Sequence, residues 1–126
     1  MTDLEADVKS FGSLMTALLG TGLLPESIGD GWKHEFSTRQ FGRSKELVIR
    51  VYRSQFLGGT SGLMAHRQVG YEWAVTTLVL FPDENGEKKR VYRIQPTERQ
   101  WTLDEVVQEM VRQIHASMAA EEVNNS

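Results

Sequence analysis

The chain of 126 residues has no cysteine, only 3 prolines beside 11 glycines, and no long apolar run. Without cysteine, disulfides, thiolate metal sites and cysteine nucleophiles are excluded, and a reducing compartment fits. The small share of glycine and proline argues against collagen-like or disordered chains. The most apolar stretch, Phe11 to Leu24, is too short to span a bilayer and is interrupted by Gly12, Gly20 and Gly22. The start, Met1 to Asp7, is acidic where a secretory signal is basic. These features together predict a cytoplasmic protein without membrane attachment.

What is present is ordinary globular composition: 40% hydrophobic and 25% charged residues, enough for one core and one domain over 1–126. The net charge of −3 hides an asymmetry. Residues 1–30 and 100–126 are each net −4, and residues 31–99 are net +5. A basic centre between acidic ends predicts a sheet that shows positive charge to an acidic partner.

Thr2-Asp3-Leu4-Glu5 has the pattern of a capping box, and Leu4, Val8, Phe11, Met15, Leu18 and Leu19 recur at helical spacing. An N-terminal helix over 1–24 is expected, ended by Gly20 or Gly22. Thr102-Leu103-Asp104-Glu105 is a second capping box. It opens a helix over 102–120 with Leu103, Val106, Val107, Met110, Val111, Ile114 and Met118 on one stripe, followed by a frayed tail over 121–126.

Between them, residues 32–97 read as two hairpins. Gly42-Arg43 is a two-residue turn that opposes Phe36 to Ile49, His34 to Val51 and Glu35 to Arg50. Asn85-Gly86 is the second turn and opposes Val79 to Tyr92 and Thr77 to Ile94. The 54–70 segment, with Gly58, Gly59, Gly62 and Gly70, is expected to be a long loop, with Ser61 able instead to cap a short helix over 63–68.

The fold class is therefore α+β: a four-stranded antiparallel sheet of two hairpins with both terminal helices on one face. The covered face carries Trp32, Phe36, Leu47, Ile49, Val51, Trp73, Val75, Val79, Phe81, Tyr92 and Ile94. The reverse face carries Lys33, Glu35, Val48, Arg50, Tyr52, Thr76, Leu78, Leu80, Val91 and Arg93, a mixture enriched at interfaces. The element order with a middle helix resembles the small dimeric chaperones of bacterial secretion systems in architecture, and no residue carries across.

No catalytic, metal or cofactor residue is assigned. Gly58-Gly59-Thr60-Ser61-Gly62 lacks the Gly-Lys-Ser/Thr ending of a phosphate loop. His34, His66 and His115 have no metal-ligand spacing, and Ser61 with His66 lacks a third group to orient the base. The expected function is a non-enzymatic protein-binding module of chaperone, adaptor or inhibitor type, homodimeric. Its contacts are Lys33, Arg50, Tyr52, Leu78, Leu80 and Arg93 on the open face, with Phe56, Leu57, Leu63 and Met64 on the 54–70 loop. Single-stranded nucleic acid is the alternative partner, through Lys33, Arg50, Arg53, Arg93, the Lys88-Lys89-Arg90 cluster and Tyr52. An enzyme with a pocket beside the glycine-rich segment is the third reading.

Overall fold

The computed structural model describes the backbone of residues 3–25, 31–42, 44–60 and 63–124, and the side chains of 8–25, 31–40, 42, 44–54 and 67–121. The elements in chain order are α1 (Asp3–Gly20), β1 (Lys33–Phe41), β2 (Ser44–Thr60), β3 (Leu63–Val79), β4 (Arg90–Ile94) and α2 (Leu103–Asn124). The four strands form one antiparallel meander in the order β1-β2-β3-β4. This is the expected α+β class.

Local chemistry sets the first hairpin. Gly42 takes the left-handed backbone that a tight turn demands (φ 63°), and Phe41 closes on Ser44. Every expected cross-strand pair follows, from Lys33 with Tyr52 to Thr38 with Leu47. The last hairpin differs. Val75 opposes Ile94 and Thr77 opposes Tyr92, a shift of two residues that keeps each side chain on its expected face. The cause lies in the turn. Asp83 Oδ1 accepts the Asn85 and Glu87 amides, and the Gly86 amide bonds the Asp83 carbonyl at 3.0 Å. Gly86 sits at φ 76°, so Glu84-Asn85-Gly86 is a three-residue bulged turn instead of a two-residue one.

The expected loop is corrected to strand over the described residues 54–60 and 63–70, where no short helix forms over 63–68; Ser61 and Gly62 lie outside the described residues. β2 and β3 pair continuously from Leu47 with Val75 to Thr60 with Leu63, with one register shift between Phe56 and Gly58. The architectural likeness that depended on a middle helix goes with it. β1 pairs β2 only as far as Tyr52, and β4 pairs β3 only as far as Val75. The β2–β3 ribbon therefore runs about 25 Å past the end of β1 and about 40 Å past the end of β4. At its root Gly70 suits a close approach: a Cβ there would lie 3.2 Å from the Tyr52 Cβ and from the Val51 carbonyl oxygen, a contact tight enough that the neighbouring strand must give way.

Both helices pack on one face. Phe11, Leu14 and Leu18 of α1 and Val106, Met110, Ile114 and Met118 of α2 close over Leu47, Ile49, Val51, Val75, Tyr92 and Ile94. Directional bonds fix the arrangement. The Tyr92 hydroxyl donates to the Ser10 carbonyl (3.0 Å), and the Trp73 indole donates to Gln113 Oε1 (2.9 Å). The α2 cap forms as read: the Thr102 amide donates to Glu105 and the Glu105 amide to the Thr102 hydroxyl. The Thr2–Glu5 box lies outside the described side chains. The tail expected to fray over 121–126 is corrected over 121–124, and 125–126 lie outside the described residues. α2 continues to Asn124, and Glu121 is buried where it accepts the Tyr71 hydroxyl at 2.8 Å and faces Arg67 at 3.6 Å. Phe81, expected in the core, is 93% exposed because β3 ends two residues earlier and Pro82 follows.

Candidate functional site: the open sheet face

Strand alternation puts Lys33, Arg50, Tyr52, Leu78, Leu80 and Arg93 together on the face opposite the helices. Neither Arg50 nor Arg93 is covered by a helix. Phe56, Leu57, Leu63 and Met64 lie on the ribbon, and their side chains are outside the described residues.

The centre of this face is a lattice of alternating charge. Glu35 is opposite Arg50, which is opposite Glu72, and Arg39 is opposite Glu46. Arg39 reaches Glu46 at 2.8 Å and Glu72 at 3.3 Å, while Arg50 lies 4.0 Å from both Glu35 and Glu72. The hydrogen bonds that Arg39 donates to the Glu46 carboxylate hold its guanidinium above its ordinary range. The reach of Arg39 from β1 to Glu72 on β3 crosses β2 at Val48, and the arginine stem explains why Val48 is only 4% exposed on a face without helices. Arg50 also stacks above Tyr52, 5.7 Å from the ring centre.

The β3–β4 end of the face has a different character. Leu78 is 40% exposed opposite Val91, and Leu80 bonds across to Lys89 through its amide. Arg93 lies opposite Thr76 with its Nε buried and without a hydrogen-bond partner. Among the described residues of this face, Glu35, Glu46 and Glu72 are all engaged by arginines, whereas Lys33 on β1 and Arg93 on β4 have no ion pair; nor has Lys89, across from Leu80.

Several residues weighed for chemistry have structural positions. His34 Nδ1 meets the Pro25 carbonyl at 2.9 Å, and His115 Nε2 meets the Leu23 carbonyl at 2.7 Å. Together they pin the segment after α1 to the sheet and to α2. Arg53 is on the helix side, 4.9 Å above the Trp32 ring, so the cations of the nucleic-acid reading are divided between the two faces. His66 and Ser61 fall outside the described side chains. The carboxylates with displaced acidity are both lowered: Glu105 by the Thr102 amide, and Glu109 by the Arg112 guanidinium. Among the described residues no three acidic or histidine side chains cluster as metal ligands, and no helix is long and apolar enough to cross a membrane.

Sequence reasoning missed Arg39, Glu46 and Glu72 as one unit. A partial signal existed in the Ser61-Gly62 pair, whose composition suits a two-residue turn; continued without a bulge, that register would set Arg50 opposite Trp73, and only the shift between Phe56 and Gly58 sets it opposite Glu72. Compared with protein-family models, with curated proteins and with solved structures, the chain matches none of them.

Proposed function

We propose that the chain is a non-enzymatic protein-recognition module, of the chaperone, adaptor or inhibitor kind. In this reading it binds an acidic, apolar-bearing segment of another protein at the β3–β4 end of its open sheet face. The reading is carried by one observation. The described acids of the face are satisfied internally, while Arg93 keeps an unpartnered, buried Nε beside exposed Leu78. A buried donor without an acceptor costs free energy that an incoming carboxylate recovers, and the neighbouring leucines supply apolar area. Lys89 adds a second cation at the same end.

The test uses two extended synthetic peptides, one alternating Glu with Leu and one alternating Lys with Leu, titrated into the isotope-labelled chain. The acidic peptide is expected to move the amide signals of Leu78, Leu80, Val91 and Arg93. Arg93→Gln and Leu78→Ser are each expected to weaken it about tenfold or more. Equal binding of the basic peptide, or shifts confined to the helices, would overturn the reading. An oligothymidylate that binds instead, steeply weakened by salt and lost on Arg50→Ala and Arg93→Ala, would replace it with the nucleic-acid reading.

A further inference from the structure

The two edges of the sheet are unequal. At β4 the outward groups of Tyr92 are occupied: its amide donates to the Trp101 carbonyl at 2.8 Å, and the Trp101 amide donates back at 2.8 Å. β1, at the other edge, is nine residues long, pairs β2 without a bulge and contains no proline. Shortness, a bulge or a proline commonly protects an edge strand, and β1 has none of these; its charges are Lys33, Glu35 and Arg39.

The direction of each β1 backbone group follows from bonds at the far side of the sheet. The Gln95 amide bonds the Ala74 carbonyl, and the Leu80 amide bonds the Lys89 carbonyl, so even-numbered β3 residues face β4. Odd-numbered β3 residues then face β2, odd-numbered β2 residues face β3, and even-numbered β2 residues face β1. By the β1–β2 register, odd-numbered β1 residues bond β2. The N–H and C=O groups of Phe36, Thr38 and Gln40 therefore point outward, and no backbone partner meets them among the described residues.

We propose that this edge pairs antiparallel with the β1 edge of a second copy of the chain, about a two-fold axis through Ser37. In that register Phe36 exchanges both backbone bonds with the second copy's Thr38, and Thr38 with its Phe36. Ser37 faces Ser37, and Glu35 faces Arg39 on each side of the axis. These charged pairs fall at the non-hydrogen-bonded positions, where opposed side chains come closest. Glu35 and Arg39 both lie on the open face, so the seam continues the lattice: Glu72, Arg50, Glu35, then the second copy's Arg39 and Glu46.

The neighbouring registers are worse. An axis at Phe36 sets Lys33 against Arg39. Axes at Glu35 or Arg39 set a charge against its own copy, and one at Thr38 leaves both charges without a counterpart. A two-fold axis perpendicular to the sheet turns both open faces the same way, giving one eight-stranded surface with all four helices behind it. This pairing is separate from whatever the β3–β4 end binds.

Sedimentation of the full chain tests the pairing and is expected to show a dimer. Thr38→Pro removes an outward amide and no bond to β2, so it is expected to give a folded monomer, whereas Thr38→Ala is expected to stay dimeric. Glu35→Arg and Arg39→Glu are each expected to weaken the dimer about tenfold. An equimolar mixture of those two variants is expected to restore it, because every seam pair is then of opposite sign. Ser37→Cys in this cysteine-free chain is expected to oxidise to a covalent dimer. The facing Cα atoms of such a pair lie about 4.5 Å apart, within disulfide range. Lys33→Cys, remote from its own copy, is expected not to cross-link. A monomeric wild-type chain overturns the proposal. So does a dimer that survives Thr38→Pro and is lost on Leu78→Arg, or a mixture that restores nothing. If Thr38→Pro fails to fold, the mixture and the cysteine variants decide.

Discussion

On one side of β2, Leu47, Ile49 and Val51 are wholly buried beneath α1 and α2; on the other, Glu46, Val48 and Arg50 alternate with them and no helix is present. Both sides exclude water at their centres, by different means. The helix side uses close apolar packing, tied by a few directional bonds from Tyr92, Trp73 and Tyr71. The open side uses long arginine side chains laid over Val48 and held by carboxylates. The first is bought with buried area and is insensitive to salt. The second is largely electrostatic, half exposed and screened. This difference lets one face anchor the fold and leaves the other without a covering helix.

The largest loss is expected at Ile49, on the helix side. Ile49→Ala leaves a cavity under both helices and is expected to lower unfolding stability by about 2–5 kcal/mol in urea denaturation. A loss below about 1 kcal/mol would mean that the helices do not depend on this face.

A smaller effect is expected at Tyr92. Its burial pushes the phenol above its ordinary range, and hydrogen bonding to Glu121 does the same for Tyr71. A raised phenol favours the fold while neutral. That stability is complete below the usual tyrosine value of about 10 and is lost as pH climbs through the raised folded values. Tyr92→Phe is expected to cost about 1 kcal/mol at pH 7 and to flatten the alkaline loss; unchanged alkaline unfolding would contradict it. On the acid side, Glu105 is held low by the Thr102 amide. Its contribution is present above the usual carboxylate value and fades as pH falls through the lowered one, so Glu105→Gln is expected to reduce the acid sensitivity of the melting temperature.

The smallest effect belongs to the lattice. Glu72→Gln releases two arginines that are about half exposed, and the unfolding midpoint is expected to change little, with the difference vanishing in high salt. A large, salt-resistant loss would show that the open face is part of the core.

Much of the fold was legible because its signals are local. Gly42 and the alternation around it set nine consecutive residue pairs of β1 and β2. Thr102 and Glu105 marked the start of α2, and period-two patterning assigned Lys33, Arg50, Tyr52, Leu78, Leu80 and Arg93 to one face. The 54–70 segment was misread because glycines that suit a loop also suit a strand whose partner passes close, as Tyr52 passes Gly70. Asp83 gave a further surprise, since its side chain caps two amides and lengthens the final turn.

The sequence by itself determined the capped C-terminal helix, the first hairpin and the apolar sidedness of each strand. Each of these follows from interactions among residues close in the chain, or from the fixed period of a strand. Only tertiary structure decided the register shift that sets β2 on β3, that Glu72 meets Arg39 and Arg50, and that Glu121 is buried against Tyr71. Those contacts join residues 22 to 50 positions apart or sit at the far ends of long elements, where the summed packing of the whole sheet selects the partner and no local preference does.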